Sequence, residues 1–268
     1  MLRRRGVGFA LWSGASSEQI TCCNEFLAQG ESQGPGLESN GVQAEPVQAL
    51  SDLKSIPEEG RPMTLSAMET SALKKAPAVE GVLPAIHERW SARAFADRNV
   101  SSETLKKVFE AARWAASSNN EQPWRFLVGR RGDGTWEKIF STLMGFNRTW
   151  AHRAPVLILG AAHTRFMKNG AEYAYASYDL GAASALLTLQ AATQGLTTHQ
   201  MAGFDHEAAR RELEIPAEYA LGTVIALGYQ ADPAVLGDAT LIERETSART
   251  RKPLSEIVFK AWGEGAEL

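Results

Sequence analysis

The stretch Ala112-Arg113-Trp114-Ala115-Ala116-Ser117-Ser118-Asn119-Asn120-Glu121-Gln122-Pro123-Trp124 joins an amphipathic segment to an apolar one through a dense run of short polar side chains. Upstream of it, Leu105, Val108, Phe109, Ala112 and Ala116 recur at helical spacing. Ser101 stands where a hydroxyl can cap that segment, so 101–116 is predicted to be a helix. Downstream, Trp124 to Gly129 reads as a short apolar strand ending in the turn-rich Gly129-Arg130-Arg131-Gly132-Asp133-Gly134. Asn120 and Gln122, between the two, carry both donors and acceptors and suit the alternating N–H and C=O edge of a pyrimidine-type ring. A plain helix-to-strand loop accounts for the same residues equally well.

Working outward, helices and strands continue to alternate. Trp136 to Leu143 is predicted helical, and Pro155 to Ala162 is a continuous apolar run suited to a central strand. Ala174 to Gln194 reads as a long helix closed by Gly195. Glu207 to Leu213 reads as a short helix, and Leu221 to Gly228 as a second buried strand. The long helix is apolar nearly all round, which predicts burial. Its Gly181, Ala182, Ala183 and Ala185 let another backbone come close. The core of one chain and the centre of a subunit interface fit that pattern equally.

Residues 14–80 are different. They hold little periodic hydrophobicity and several breakers, among them Gly34-Pro35-Gly36 and Glu58-Glu59-Gly60-Arg61-Pro62. Such a segment buries too little apolar surface to offset its ordering entropy. Residues 1–80 are therefore expected to form a disordered or loosely ordered leader, with short helical turns near Gln48 to Lys54 and Leu65 to Lys75. The folded domain is expected to occupy 81–268. Arg3-Arg4-Arg5 followed by Val7 to Trp12 outlines a signal peptide faintly, but Gly6 and Gly8 interrupt its apolar part. An unstructured leader, or a natural start at Met63 or Met68, is the preferred reading.

Composition removes several function classes. The net charge of -3 and pI of about 6.0 give no general attraction to nucleic acid or anionic membrane. No apolar run is long enough for a transmembrane helix. The two cysteines, Cys22 and Cys23, are adjacent and support neither a disulfide framework nor a metal site, so a reducing, cytoplasmic compartment is expected. The five histidines form no metal-binding pair on one helix, and no metal is expected. Dinucleotide, phosphate-loop and serine-elbow glycine motifs are missing from the sequence. One basic cluster remains, Arg89-Trp90-Ser91-Ala92-Arg93, read as one helical turn with both arginines on one side. Guanidinium forks suit phosphate oxygens, although a solvated basic turn fits as well.

Taken together, Arg89-Trp90-Ser91-Ala92-Arg93-Ala94-Phe95, the 112–124 block, His199-Gln200-Met201-Ala202-Gly203-Phe204-Asp205 and Arg249-Thr250-Arg251-Lys252-Pro253-Leu254-Ser255-Glu256 resemble the FMN-dependent nitroreductase family. The four blocks stand in the family's order, from about Leu83 to Trp262. The resemblance implies an α+β sandwich, with a mainly antiparallel central sheet flanked by helices, of the obligate-dimer type. It implies FMN at the subunit interface and NAD(P)H as co-substrate. Hydride would pass to nitroaromatics, quinones or related small acceptors by a ping-pong mechanism. A non-enzymatic FMN-binding redox sensor or interaction module is the alternative.

Residue by residue, the resemblance places Arg89 and Ser91 near the phosphate and ribityl chain, with Trp90 in the same motif. Arg93 falls beside N1 and O2 of the ring, and Asn120 and Gln122 at its edge. The backbone of Ala202 and Gly203 falls near N5 and O4, and Arg249 and Arg251 on the phosphate. No catalytic acid or base is implied, since the chemistry belongs to flavin N5. Trp90, Phe146, Trp150 and Phe204 are candidates to line the acceptor pocket. The helix at 174–194 would lie at the dimer centre, and Pro253 to Trp262 would extend over the partner. Ala202 departs from the glutamate of one family branch, and Ala116 from a common proline.

Overall fold

The apolar run at 155–162 forms one of the two inner strands of a four-stranded sheet. The protein's structure, a computed structural model, describes residues 65–268. The signal-like outline, the turn expected near Gln48 to Lys54, Met63 and both cysteines lie outside the described residues. The strands are β1 (Trp124–Arg130), β2 (Val156–His163), β3 (Thr197–Met201) and β4 (Tyr219–Gly228), in the order β1-β2-β4-β3. Every neighbouring pair is antiparallel. The expected α+β sandwich with an antiparallel sheet is the fold observed.

β2 lacks a polar face because helices cover both sides of the sheet. Val156, Ile158 and Ala162 point with Ile225 and Leu227 into a core shared with α3 (Ser102–Arg113) and α6 (Ala176–Thr193). Leu157 and Leu159 point the other way with Val224 and Ala226. There they meet α4 (Gly134–Thr142), α5 (Gly145–Ala151) and α7 (His206–Glu212). Short polar residues start α3, as the sequence predicts, and α4. Ser101 Oγ accepts from Thr104 N at 3.0 Å, and Asp133 accepts from Trp136 N at 2.7 Å. Close approach of α6 to the sheet depends on two glycines. A Cβ at Gly222 would stand 2.6 Å from Leu180 Cδ2, and one at Gly160 would stand 3.3 Å from Leu180 Cδ1.

Three features depart from the sequence reading. First, α6 is buried on one side only: Leu180, Ala183, Leu187 and Ala191 are enclosed, whereas Tyr178 is 76% exposed and Tyr175 65%. Second, the segment around Leu65 to Lys75 is a docked helix, α1 (Ala67–Lys74), begun by a capping box between Ser66 and Glu69. Its Thr70 and Lys74 are buried, and it packs on α8 (Ala239–Thr246). Third, Arg89 to Arg93 do not form a helical turn. α2 (Pro84–Glu88) ends at Arg89, whose φ/ψ of -66/138 is extended. Tertiary partners override the local spacing: His199 Nδ1 of β3 lies 3.1 Å from the Ala92 carbonyl, and Ala96 N donates to Tyr229 O.

The chain ends in a small hairpin, β5 (Phe259–Ala261) and β6 (Glu264–Gly265), with Trp262 98% exposed at its turn. Among the described residues, no helix is long and apolar enough to cross a membrane.

Candidate functional site

Extended backbone from Arg89 to Ala94 gives the basic cluster its form. Side chains alternate across an extended run. Trp90, Ala92 and Ala94 point into the core, at 6%, 0% and 0% exposure. Arg89, Ser91 and Arg93 consequently share the opposite side, and all three line one cavity of about 210 Å³. Ser91 joins the arginines because the period is 2, where a helical turn would have aimed it elsewhere. Arg249 and Arg251, far away in sequence, line the same cavity together with Lys74 and Trp90.

Arg249 reaches back to close α2, donating from Nη1 to the Arg89 carbonyl at 2.7 Å and from Nη2 to the His87 carbonyl at 2.9 Å. This fixes the backbone that carries Arg89. The electrostatics of the cluster are repulsive. Burial, and then the Arg251 charge, push the Arg89 guanidinium below its usual range. Burial followed by Arg89 and Arg251 does the same to Arg249. Among the described residues, the Nε atoms of Arg89, Arg93 and Arg249 are buried without a hydrogen-bond partner. Among the described residues, the ion pairs include no carboxylate on Arg89, Arg249 or Arg251. Partly buried cations that repel one another and keep buried Nε donors unpaired among the described residues call for an anion with several oxygens.

Arg93 has a different environment. Its guanidinium lies 3.7 Å from the fully buried Glu245 carboxylate and over the face of Phe146, with its carbon 5.7 Å from the ring centroid. The next residue along α5, Asn147, donates to Gly203 O at 3.1 Å. The Ala202-Gly203 backbone is thereby tied to the Arg93 end of the site. Both residues are exposed, and their N–H groups donate to no partner among the described residues. Of the acceptor-pocket candidates, Phe146 is 38% exposed, whereas Trp90, Trp150 and Phe204 are core residues. Trp150 packs between Phe95 and His199.

Asn120 and Gln122 are not among the residues lining the arginine cavity. They sit on a tight turn in which Asn119, Asn120 and Gln122 all adopt left-handed φ values, 54°, 55° and 50°. Such a cluster of left-handed residues is held only by surrounding contacts. Ser117 Oγ accepts from Gln122 N at 3.0 Å, and buried Asp179 accepts from Ser118 N at 3.2 Å and from the Tyr173 hydroxyl. Burial, then the Asp179 bond, push the Tyr173 hydroxyl up to about 12, so it stays a donor. This turn is fixed to α6 near its start, whereas Arg89 and Ser91 share a cavity with Thr188 towards its end. Nine residues of helix separate Asp179 from Thr188, about 14 Å along the axis.

Sequence reasoning misses Lys74, Glu245, Asp179 and Tyr173. Glu245 lies four residues before Arg249, yet nothing in the sequence marks it as buried where Glu243 on the same helix is exposed. Asp179 is a single acid in an apolar helix, and that is a usable signal.

A model of the nitroreductase family matches residues 86–140 and 137–229, more than half of the chain. The chain belongs to the nitroreductase family. Among relatives of this nitroreductase-family chain, protein DrgA of Synechocystis is 30% identical over 210 residues, spanning 66% of this chain and 96% of the relative. The 4-nitrobenzoate reductase of a Nocardioides species is 26% identical over 245 residues, 70% of this chain and 93% of the relative. A solved oxidoreductase described as containing FMN superposes with a TM-score of 0.65 at 31% identity, covering 71% of this chain and 97% of that one. The family match begins at residue 86, so α1 and Lys74 lie outside it.

Proposed function

We propose that this chain is an FMN-dependent oxidoreductase that passes reducing equivalents from NADH or NADPH to nitroaromatics, quinones or related small acceptors. The observation that carries the reading is the trio of buried, unpartnered Nε donors on Arg89, Arg93 and Arg249 around one cavity. Those of Arg89 and Arg249 would face the dianionic end of FMN, and that of Arg93 the ring beside it. The flavin-containing structural relative supports the same cofactor.

The protein's own part is binding, orientation and charge. Arg89, Arg249 and Arg251 would hold the phosphate oxygens, and Ser91 the adjoining hydroxylated chain. When bound, FMN supplies the hydride-accepting and hydride-donating chemistry that no side chain here offers. Arg93 would place positive charge beside the ring, where negative charge develops on reduction. Free N–H groups at Ala202 and Gly203 would meet ring acceptors, and Asn120 and Gln122 would bond the ring edge from a second copy of the chain. The uncovered face of α6 supports such a homodimer. Tyr178, Gly181, Ala185 and Leu186 are exposed along it, and Tyr175 is exposed just before it.

The test is an absorbance spectrum of the purified protein, before and after anaerobic NADPH and then NADH. Flavin bands that bleach with either nucleotide and return on adding a quinone support the reading and name the donor. Parallel double-reciprocal plots would establish that donor and acceptor use the site in turn. A colourless protein that FMN does not reconstitute ends the proposal.

A further inference from the structure

The buried Glu245 carboxylate and the buried Lys74 ammonium form a second layer under the arginine cavity. Glu245 is 0% exposed, an acidic group placed among several cations. Its Oε1 accepts from Arg93 N at 2.8 Å and Ala94 N at 2.9 Å, and Oε2 lies 3.7 Å from the Arg93 guanidinium. Lys74, 5% exposed, comes from α1, outside the family match. Its Nζ donates to Arg244 O at 3.1 Å and to Ser247 O, and sits 5.0 Å over the Trp90 ring. It thereby closes the end of α8, from which the chain leads directly to Arg249 and Arg251. Lys74 also lines the cavity beside those arginines.

A cation or an anion this deeply buried interacts strongly with its neighbours, because water screens it poorly. Burial lowers Lys74 while the Glu245 charge opposes that, and Arg93 and Arg249 add to the lowering. Burial raises Glu245, and its two backbone donors and Arg93 hold it down. Five cations and one carboxylate thus share a small volume, and the balance between them fixes the charge that the cavity presents.

We propose that Glu245 and Lys74 are positioning residues that set the net positive charge of this site in opposite senses, Glu245 attenuating Arg93 and Lys74 reinforcing the arginines. The inference rests on reading the cavity as the FMN site. It gives α1, a helix added ahead of the family domain, a share in cofactor affinity.

Glu245→Gln keeps the Oε1 acceptor for both backbone N–H groups while removing the negative charge. Lys74→Met keeps the length of the side chain while removing the positive one. FMN dissociation constants are read by quenching of FMN fluorescence on titration with apoprotein. The expected result is binding about three- to tenfold tighter in E245Q and about three- to tenfold weaker in K74M. The flavin midpoint potential should move up in the first and down in the second. The double variant, which deletes one charge of each sign, should return towards wild type. Scaffold residues would behave otherwise: both single variants would bind more weakly and the double variant more weakly still, and that pattern overturns the proposal. Should E245Q not fold, the double variant compared with K74M decides between the same two patterns. Wild-type protein that fails to bind FMN overturns the cofactor reading and this inference with it; wild-type binding with both variants weakened overturns the inference alone.

Discussion

At the scale of single residues, the site is a set of charges whose neighbours were chosen by burial. Arg89 and Arg251 face the cavity without a carboxylate partner among the described residues, so an arriving anion would meet unpaired donors. Charge-assisted hydrogen bonds contribute about 1.5–3 kcal/mol each, and Arg89→Ala with Arg251→Ala should therefore weaken FMN binding by at least a hundredfold. The circular dichroism of the variant should be unchanged, and full retention of FMN sinks the phosphate assignment. His199 gives a second prediction. Burial, then the Arg93 charge, push its imidazole down to about 4 from an ordinary 6.5. A folded-state value below the unfolded one means that protonation opposes the fold. Stability is therefore complete above about pH 6.5 and falls as pH drops towards about 4, by roughly 2 kcal/mol at pH 5. Urea midpoints at pH 7 and pH 5 check this, since His199→Gln should remove most of the difference. An equal drop in both proteins would refute it. These residue types are legible in the sequence, and their surroundings are not. Arg89, Ser91, Arg93, Arg249 and Arg251 stand out from motif alone, but nothing local marks Glu245 as their buried counter-charge.

At the scale of elements, legibility follows length. α3, α6 and the two inner strands are long enough to show a period or an unbroken apolar run, and each is readable to within a few residues. α2, α5, α7 and α8 span five to eight residues, and of these only α7 is readable. One or two turns of helix hold too few apolar positions to define a stripe. Arg89 to Arg93 misleads for a related reason: a spacing of four puts two side chains on one face of a helix and also of a strand. Only the pairing with β3 and the 229–231 segment separates the two. The turn at 117–122 behaves as an element in its own right, because three left-handed residues are held by Asp179 and Tyr173. Asp179→Ala would remove the acceptor of Ser118 N and leave the buried Tyr173 hydroxyl only the distant Ser118 O at 3.5 Å, at about 1–3 kcal/mol. That variant should lose both stability and FMN affinity. Asn120→Ala, whose exposed side chain supports nothing else, should lose affinity with a stability loss of only about 1 kcal/mol from its left-handed φ. If the melting temperature of Asp179→Ala equals that of wild type, the turn does not depend on Asp179.

At the scale of the whole molecule, the two halves of the candidate site are held at opposite ends of one helix. The arginines, Ala202 and Gly203 gather at one end of α6, and the Asn120 turn is tied to the other. In the proposed homodimer, a second copy packed along the open face of α6 would bring its turn to the first copy's arginines. This arrangement makes a sharp prediction about mixtures. A chain carrying Arg89→Ala and Arg251→Ala, and a chain carrying Asn120→Ala and Gln122→Ala, should each be deficient in FMN when expressed alone. Co-expressed, half of the dimers would contain one chain of each kind. Each of these would hold one site with all its arginines and amides and one site with none. About a quarter of the wild-type flavin content should therefore return, in a species that sedimentation shows to be dimeric. If each site were built within one chain, every site in the mixture would lack one set of contacts and no flavin would be recovered. Recovery near a quarter assigns the amides to the partner subunit, and no recovery assigns them to their own.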